Sequence, residues 1–277
     1  MKKTRGLKKS LKKIFAVSAA AAMLVSVSGC GGSDETASSV DRIKEAGVLT
    51  LATASGYPPY EFVSSADGGE VVGIDVALAQ KVADKLGVEL KVDDMAFSEL
   101  ITTLQGGNRD IVIAGMPETE ERAQAVDFSK VYLNDQQCII VRAEDADEYT
   151  SLDDFAGKKV AAEMGSSSET VARSELTGAD VVALSLVSDV FLELENGSVD
   201  AVVTGEVVGR QYTISNPDLV QLDLQFAESD KPASAAVRKG DTELLEIVNS
   251  VIDEVSSDGT MDSWIEEYSQ KASENAQ

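Results

Sequence analysis

Residues 48–92 read VLTLATASGYPPYEFVSSADGGEVVGIDVALAQKVADKLGVELKV, and two hydrophobic periods alternate along them. Val48 to Thr53 is a short apolar, β-prone run that ends in the turn-forming Ser55-Gly56-Tyr57-Pro58-Pro59. Gly73 then opens a segment whose apolar residues Ile74, Leu78, Val82 and Leu86 recur at every fourth position, the spacing of one helix face, and Gly87 stops it. A second strand follows at 88–92. Outward from this unit the rhythm continues, with a short helix over 97–105 closed by Gly106-Gly107 and a buried strand over 111–114. The second half repeats it: strands at 158–162, 181–184 and 201–204 alternate with helices at 166–176 and 187–196. A strand at 234–238 precedes a long helix carrying Leu244, Leu245, Val248, Val251, Ile252 and Val255, and residues 264–268 suggest a short final helix. Strands alternating with helices predict an α/β fold with largely parallel sheets.

The ends set the compartment. Seven of the 24 basic residues fall in the first thirteen positions, and an uncharged run over 14–27 follows, short of the roughly 20 residues a membrane-crossing helix needs. This is the pattern of a secretory signal over 1–29. Val27-Ser28-Gly29-Cys30 resembles the lipobox of bacterial lipoproteins, which implies a lipidated Cys30 at the start of the mature chain. A polar tether over 30–39 would then space the protein from the membrane surface. Beyond the leader, 17 basic residues face 48 acidic ones, a balance that opposes nucleic-acid binding and favours solubility. Histidine is absent, which removes histidine-based nucleophile systems and histidine-ligated metal sites. With Cys30 lipidated, Cys138 in its apolar run reads as an unpaired core thiol.

Seven segments, in order, resemble the type II solute-binding proteins of amino-acid ABC transporters. They are Tyr57-Pro58-Pro59-Tyr60-Glu61-Phe62, Gly73-Ile74-Asp75-Val76, residues 97–106, Gly115-Met116 through Arg122, Val126-Asp127-Phe128-Ser129, Val199-Asp200-Ala201-Val202-Val203 and Val237-Arg238-Lys239-Gly240-Asp241. The resemblance implies a two-lobed type II periplasmic-binding-protein fold with two crossover hinge strands. Lobe one would hold 39–140 and 231–268, lobe two 141–230, and 269–277 would be a C-terminal tail. It implies no cofactor and no catalysis. The chain would act as a monomer that closes on an amino acid and hands it to permease subunits at the extracellular or periplasmic face of the membrane.

The same resemblance names a site. Arg122, in Gly-Met-x-x-Thr-x-x-Arg, would hold the ligand carboxylate through paired hydrogen bonds. Tyr57 and Phe97 would sandwich the ligand side chain, Gly115 would face it with backbone, and Met116 would join the ligand-binding set. Across the cleft, Ser166 and Ser167 open a helix whose free N–H groups suit a carboxylate, with Ser166 and Glu169 spaced as a capping box. The chain departs from the family at Ala54, Pro117 and Gly205. Members often carry an acid at the last of these, where it binds the ligand's ammonium group. Glu206 and Glu163 are the candidates to replace it, with Glu206 expected to matter more. The other readings are a sensor domain of the same fold and a dehydratase-type enzyme on the same scaffold.

Overall fold

The computed structural model describes residues 38–275; the leader, Cys30 and most of the tether lie outside the described residues. In chain order the first lobe carries α1 (Ser39–Ala46), β1 (Val48–Thr53), the hairpin β2 (Phe62–Ser64) and β3 (Glu70–Val72), α2 (Ile74–Leu86) and β4 (Glu89–Asp94). It continues with α3 (Leu100–Gln105), β5 (Ile111–Val112), α4 (Glu120–Ala125) and β6 (Val126–Leu133). The second lobe carries β7 (Gln137–Arg142), β8 (Lys159–Glu163), α5 (Ser167–Glu175), β9 (Asp180–Leu184), α6 (Val187–Glu195), β10 (Ala201–Gly205), α7 (Glu206–Ser215) and β11 (Leu219–Gln221). The chain then returns through β12 (Ala233–Arg238), α8 (Thr242–Ser257) and α9 (Thr260–Asn275).

Two five-stranded sheets result, ordered β4-β1-β5-β12-β6 and β11-β7-β10-β8-β9. Within them β1 runs parallel to β4 and β5, and β8 parallel to β9 and β10, as helical crossovers require. The strands that carry the chain between lobes, or bring it back, pair antiparallel: β12 with β5 and β6, and β7 with β10 and β11. Ile74, Leu78, Val82 and Leu86 all face inward on α2, and Leu244, Val248, Val251, Ile252 and Val255 do so on α8. The fourfold spacing thus becomes one buried stripe in each helix.

The lobes part earlier than the sequence places them. Residues 137–140 belong to the second sheet, so the outward crossing is 134–136 rather than the point after Ile140. The return crossing lies beside it: Gln136 bridges Asp230, Gln137 N–H donates to Ser229 O at 2.7 Å, and Lys231 N–H donates to Asp135 O at 2.9 Å. The expected C-terminal tail is helical through Asn275 and docked. Asn275 Oδ1 accepts from Ser65 N–H at 2.8 Å, and Ser273 Oγ accepts from Gln211 Nε2 at 2.8 Å. A mostly polar segment shows no stop signal before Asn275, and contacts with both lobes hold it in place.

Candidate functional site

The cleft between the sheets is lined from the first lobe by Tyr57, Glu61, Phe97 and Pro117, from the second by Glu163, Ser166 and Ser167, and from the return crossing by Lys231. A wider groove at its mouth is bordered by Phe97, Arg122, Gly165 and Ser167. Most of the expected ligand residues therefore meet here, although they come from distant parts of the chain.

Arg122 is placed by α4, whose N-cap Thr119 accepts Arg122 N–H at 3.2 Å. Its guanidinium lies 5.2 Å from the Phe97 ring centroid, a cation–π distance. One Nη donates to Pro117 O at 2.8 Å, and the other reaches across the cleft to Gly165 O at 3.0 Å. Despite Glu118, Glu120 and Glu121 nearby, Arg122 forms no ion pair among the described residues. Burial lowers its pKa, with Glu121 and Glu163 opposing. A half-buried guanidinium held only by carbonyls is suited to receive a carboxylate.

Opposite it, β8 ends in Glu163 and α5 begins. Ser166 caps that helix by accepting Glu169 N–H at 3.1 Å, and its hydroxyl donates to Glu163 O at 2.7 Å. The capping box is only half formed, because Glu169 Oε2 takes Gly165 N–H at 2.7 Å instead of that of Ser166. Ser167 Oγ and Ser168 Oγ are pinned by the Gln137 amide at 3.0 and 2.7 Å. Burial pushes the Glu163 carboxyl up to about 8, although Lys231 and Arg122 pull against it. At neutral pH it therefore carries its proton for most of the time.

Two expected contacts are turned elsewhere. Gly115 N–H donates to Asp75 Oδ2 at 2.7 Å and its carbonyl accepts from Lys231 Nζ at 2.9 Å, so both backbone groups are engaged. Its φ is +52°, and a Cβ there would stand 2.9 Å from the Tyr57 ring, so glycine lets the aromatic seat. Met116 is fully buried with Phe97, Leu100 and Val126, reaching only the mouth groove, and its carbonyl accepts Ser234 N–H at 2.9 Å.

Glu206 is not in the cleft. It is exposed at the first turn of α7, on the hinge side with Asn134, Gln136 and Asp230. The backbone turns into a helix immediately after Gly205, and Glu206 N–H is fixed to Gln136 O at 2.7 Å. The space in front of Gly205 is filled by Asp135, from the outward crossing, and by the Tyr57 hydroxyl; a Cβ at 205 would collide with Asp135 Oδ2 and lie 2.6 Å from that hydroxyl. Asp135 Oδ1 accepts from Gln136 N–H at 2.8 Å and Val207 N–H at 3.1 Å, and Oδ2 accepts from Tyr60 Oη at 3.2 Å. It thereby caps α7, which has no side-chain cap of its own, and ties it to the first lobe.

Sequence reading also passed over Lys231, Glu61 and Asp75. Lys231 is 5 % exposed, with its ammonium 4.9 Å from the Tyr57 ring centroid. Beneath it, Glu61 is driven well above the usual carboxyl range by burial and by Asp75, whereas Asp75 sits at about 6, raised by burial and held down by hydrogen bonds from Glu61, Tyr132 and Gly115 N–H. Glu61 stands in the Tyr-Pro-Pro-Tyr-Glu-Phe segment, but nothing in that segment signals burial. For Lys231 the only cue is a lone lysine just before an apolar strand.

The arginine-binding extracellular protein ArtP of Bacillus subtilis is 30% identical, with 91% of this chain and 96% of the relative covered. The ABC transporter glutamine-binding protein GlnH of the same species is 30% identical over 93% and 98%. A crystal structure of the amino acid ABC transporter substrate-binding protein AbpA from Streptococcus pneumoniae, bound to L-arginine, superposes with a TM-score of 0.81 at 34% identity, covering 83% of this chain and 98% of that one. Residues 49–271 match the family model of these proteins, which spans both sheets and both crossings: the chain belongs to the bacterial extracellular solute-binding proteins, family 3.

Proposed function

We propose that this protein collects an amino acid outside the cell and delivers it to the permease of an ABC transporter, without transforming it. The observation that carries the reading is Arg122, a guanidinium that spans the cleft yet is satisfied only by Pro117 and Gly165 carbonyls. A ligand carboxylate gives it a charged partner, and the N-terminus of α5 lies on the opposite wall. Tyr57 and Phe97 exclude water around the bound molecule, and the zwitterion's ammonium falls to Glu163, which gives up its proton on binding. The relatives named for arginine and glutamine support amino acids as the class. Ligand contacts from both walls exist together only when the lobes are closed, so binding drives closure about residues 134–136 and 229–231. The leader and Cys30 further support lipid anchoring at the outer membrane face, which intact mass spectrometry of membrane-extracted protein would check.

The test is Arg122→Ala. Titration calorimetry against the twenty amino acids should show loss of roughly 2–5 kcal/mol for whichever ligand binds, because its carboxylate would stay buried without a charged partner. Affinity within a factor of about three of the parent, with unchanged circular dichroism, would remove Arg122 from the site.

A further inference from the structure

Two cations serve the cleft, and the function proposed above uses only one. Lys231 emerges from the return crossing just before β12, 95 % buried, and lines the inner cavity together with Tyr57, Glu61 and Glu163. One of its N–H groups donates to Gly115 O at 2.9 Å; among the described residues it has no other hydrogen-bond acceptor and no ion pair within 4 Å. The acids around it do not answer this charge at contact distance. Asp135 spends its oxygens on two backbone N–H groups and the Tyr60 hydroxyl, and neither Glu61 nor Glu163 pairs with the Lys231 ammonium within 4 Å.

Burying an ammonium without a charged partner is costly, and the cost is recovered when an anion arrives. Arginine as ligand would do the reverse, bringing a third cation toward Lys231 in the inner cavity and Arg122 at its mouth. From this arrangement we infer that the ligand is an acidic amino acid, whose side-chain carboxylate is received by Lys231 while Arg122 takes its α-carboxylate. Glu163 is close enough to feel both cations, so it can accept the α-ammonium between the two carboxylates. The three charges of an acidic amino acid thereby each meet the opposite sign. This assignment rests on the amino-acid reading of the cleft.

The experiment titrates L-glutamate, L-aspartate, L-glutamine and L-arginine into the parent protein and into Lys231→Met, with Arg122→Ala in parallel. The parent should prefer one of the acidic pair over glutamine and arginine by about tenfold or more. In Lys231→Met that preference should collapse, with acidic-ligand affinity falling at least about tenfold more than glutamine affinity does. Lys231→Gln should behave in the same way, which guards against a packing defect in the methionine variant. Preference for arginine or glutamine in the parent, or an unchanged acidic preference in both Lys231 variants, would overturn the assignment. If arginine or glutamine binds in an Arg122-dependent manner and the acidic pair does not, the amino-acid reading stands and this one falls. If no amino acid binds, both fall.

Discussion

Two of the second lobe's three strand-to-helix junctions, β8 to α5 and β10 to α7, do opposite things. Both follow a buried strand of the same sheet, and both place a glutamate where the strand gives way to the helix. At the first junction the acid is the last strand residue, three residues of turn follow, and Glu163 with the capped start of α5 faces the cleft. At the second the helix begins directly after Gly205, Glu206 points to solvent, and the acid that reaches the junction is Asp135 from the hinge. One unit lines the cleft. The other surrenders that place to the crossing strand and becomes part of the hinge. A repeated βα unit therefore says where a site can be built; the approach of a third segment decides whether it is.

This contrast can be broken most directly at Gly205. Gly205→Asp should destabilise the protein by about 3–5 kcal/mol, since a second carboxylate would be forced against the buried Asp135 and the Tyr57 hydroxyl. Urea denaturation would read the loss, and combining the change with Asp135→Gly should recover part of it. Full stability of the single variant would mean that Asp135 does not fill this space.

The next largest effect is expected at the other junction. Glu163→Gln should weaken amino-acid binding by about 2 kcal/mol or more, whereas Glu206→Gln should change it by less than about 0.5 kcal/mol. An equal loss from both would erase the distinction. The pH dependence sharpens it. The folded pKa of Glu163 is raised from 4.5 to about 8, so the folded state holds a proton that the unfolded state has released across that interval. Its contribution to stability is present below pH 4.5 and is lost as pH rises through about 8. Relative to Glu163→Gln, the parent without ligand should therefore lose stability between pH 5 and 8, which denaturant midpoints at matched pH values would follow. Binding at pH 7 should release a proton, visible as a buffer-dependent calorimetric enthalpy.

The smallest effect belongs to the cap. Ser166→Ala removes the acceptor for Glu169 N–H and should cost about 1 kcal/mol of stability. The same change at Ser198, outside both junctions, serves as the reference.

How much of this was legible follows from the range over which each feature is decided. The fourfold apolar spacing in α2 and α8 and the glycine after α2 were sufficient because a helix face is set by neighbours within two turns. The segments β6, α4 and α7 went unread as elements. β6 reaches strand length only through pairing with β12, and α4 and α7 are short with weak apolar stripes. The family motif around Arg122, Tyr57 and Phe97 was enough to place these three along the cleft.

The sequence by itself determined the alternating α/β class and the exclusion of histidine chemistry, because local spacing and composition carry both, whereas the residues expected in the cleft came from the resemblance to the family. Only the tertiary structure decided that the lobes part at 134–136, that Asp135 fills the space before Gly205, and that Lys231 stands buried beside Tyr57. Asp135 and Gly205 lie seventy positions apart, and Lys231 and Tyr57 still further. A charge's role in a protein is set by which groups share its low-dielectric surroundings, and the chain brings those groups together only by folding.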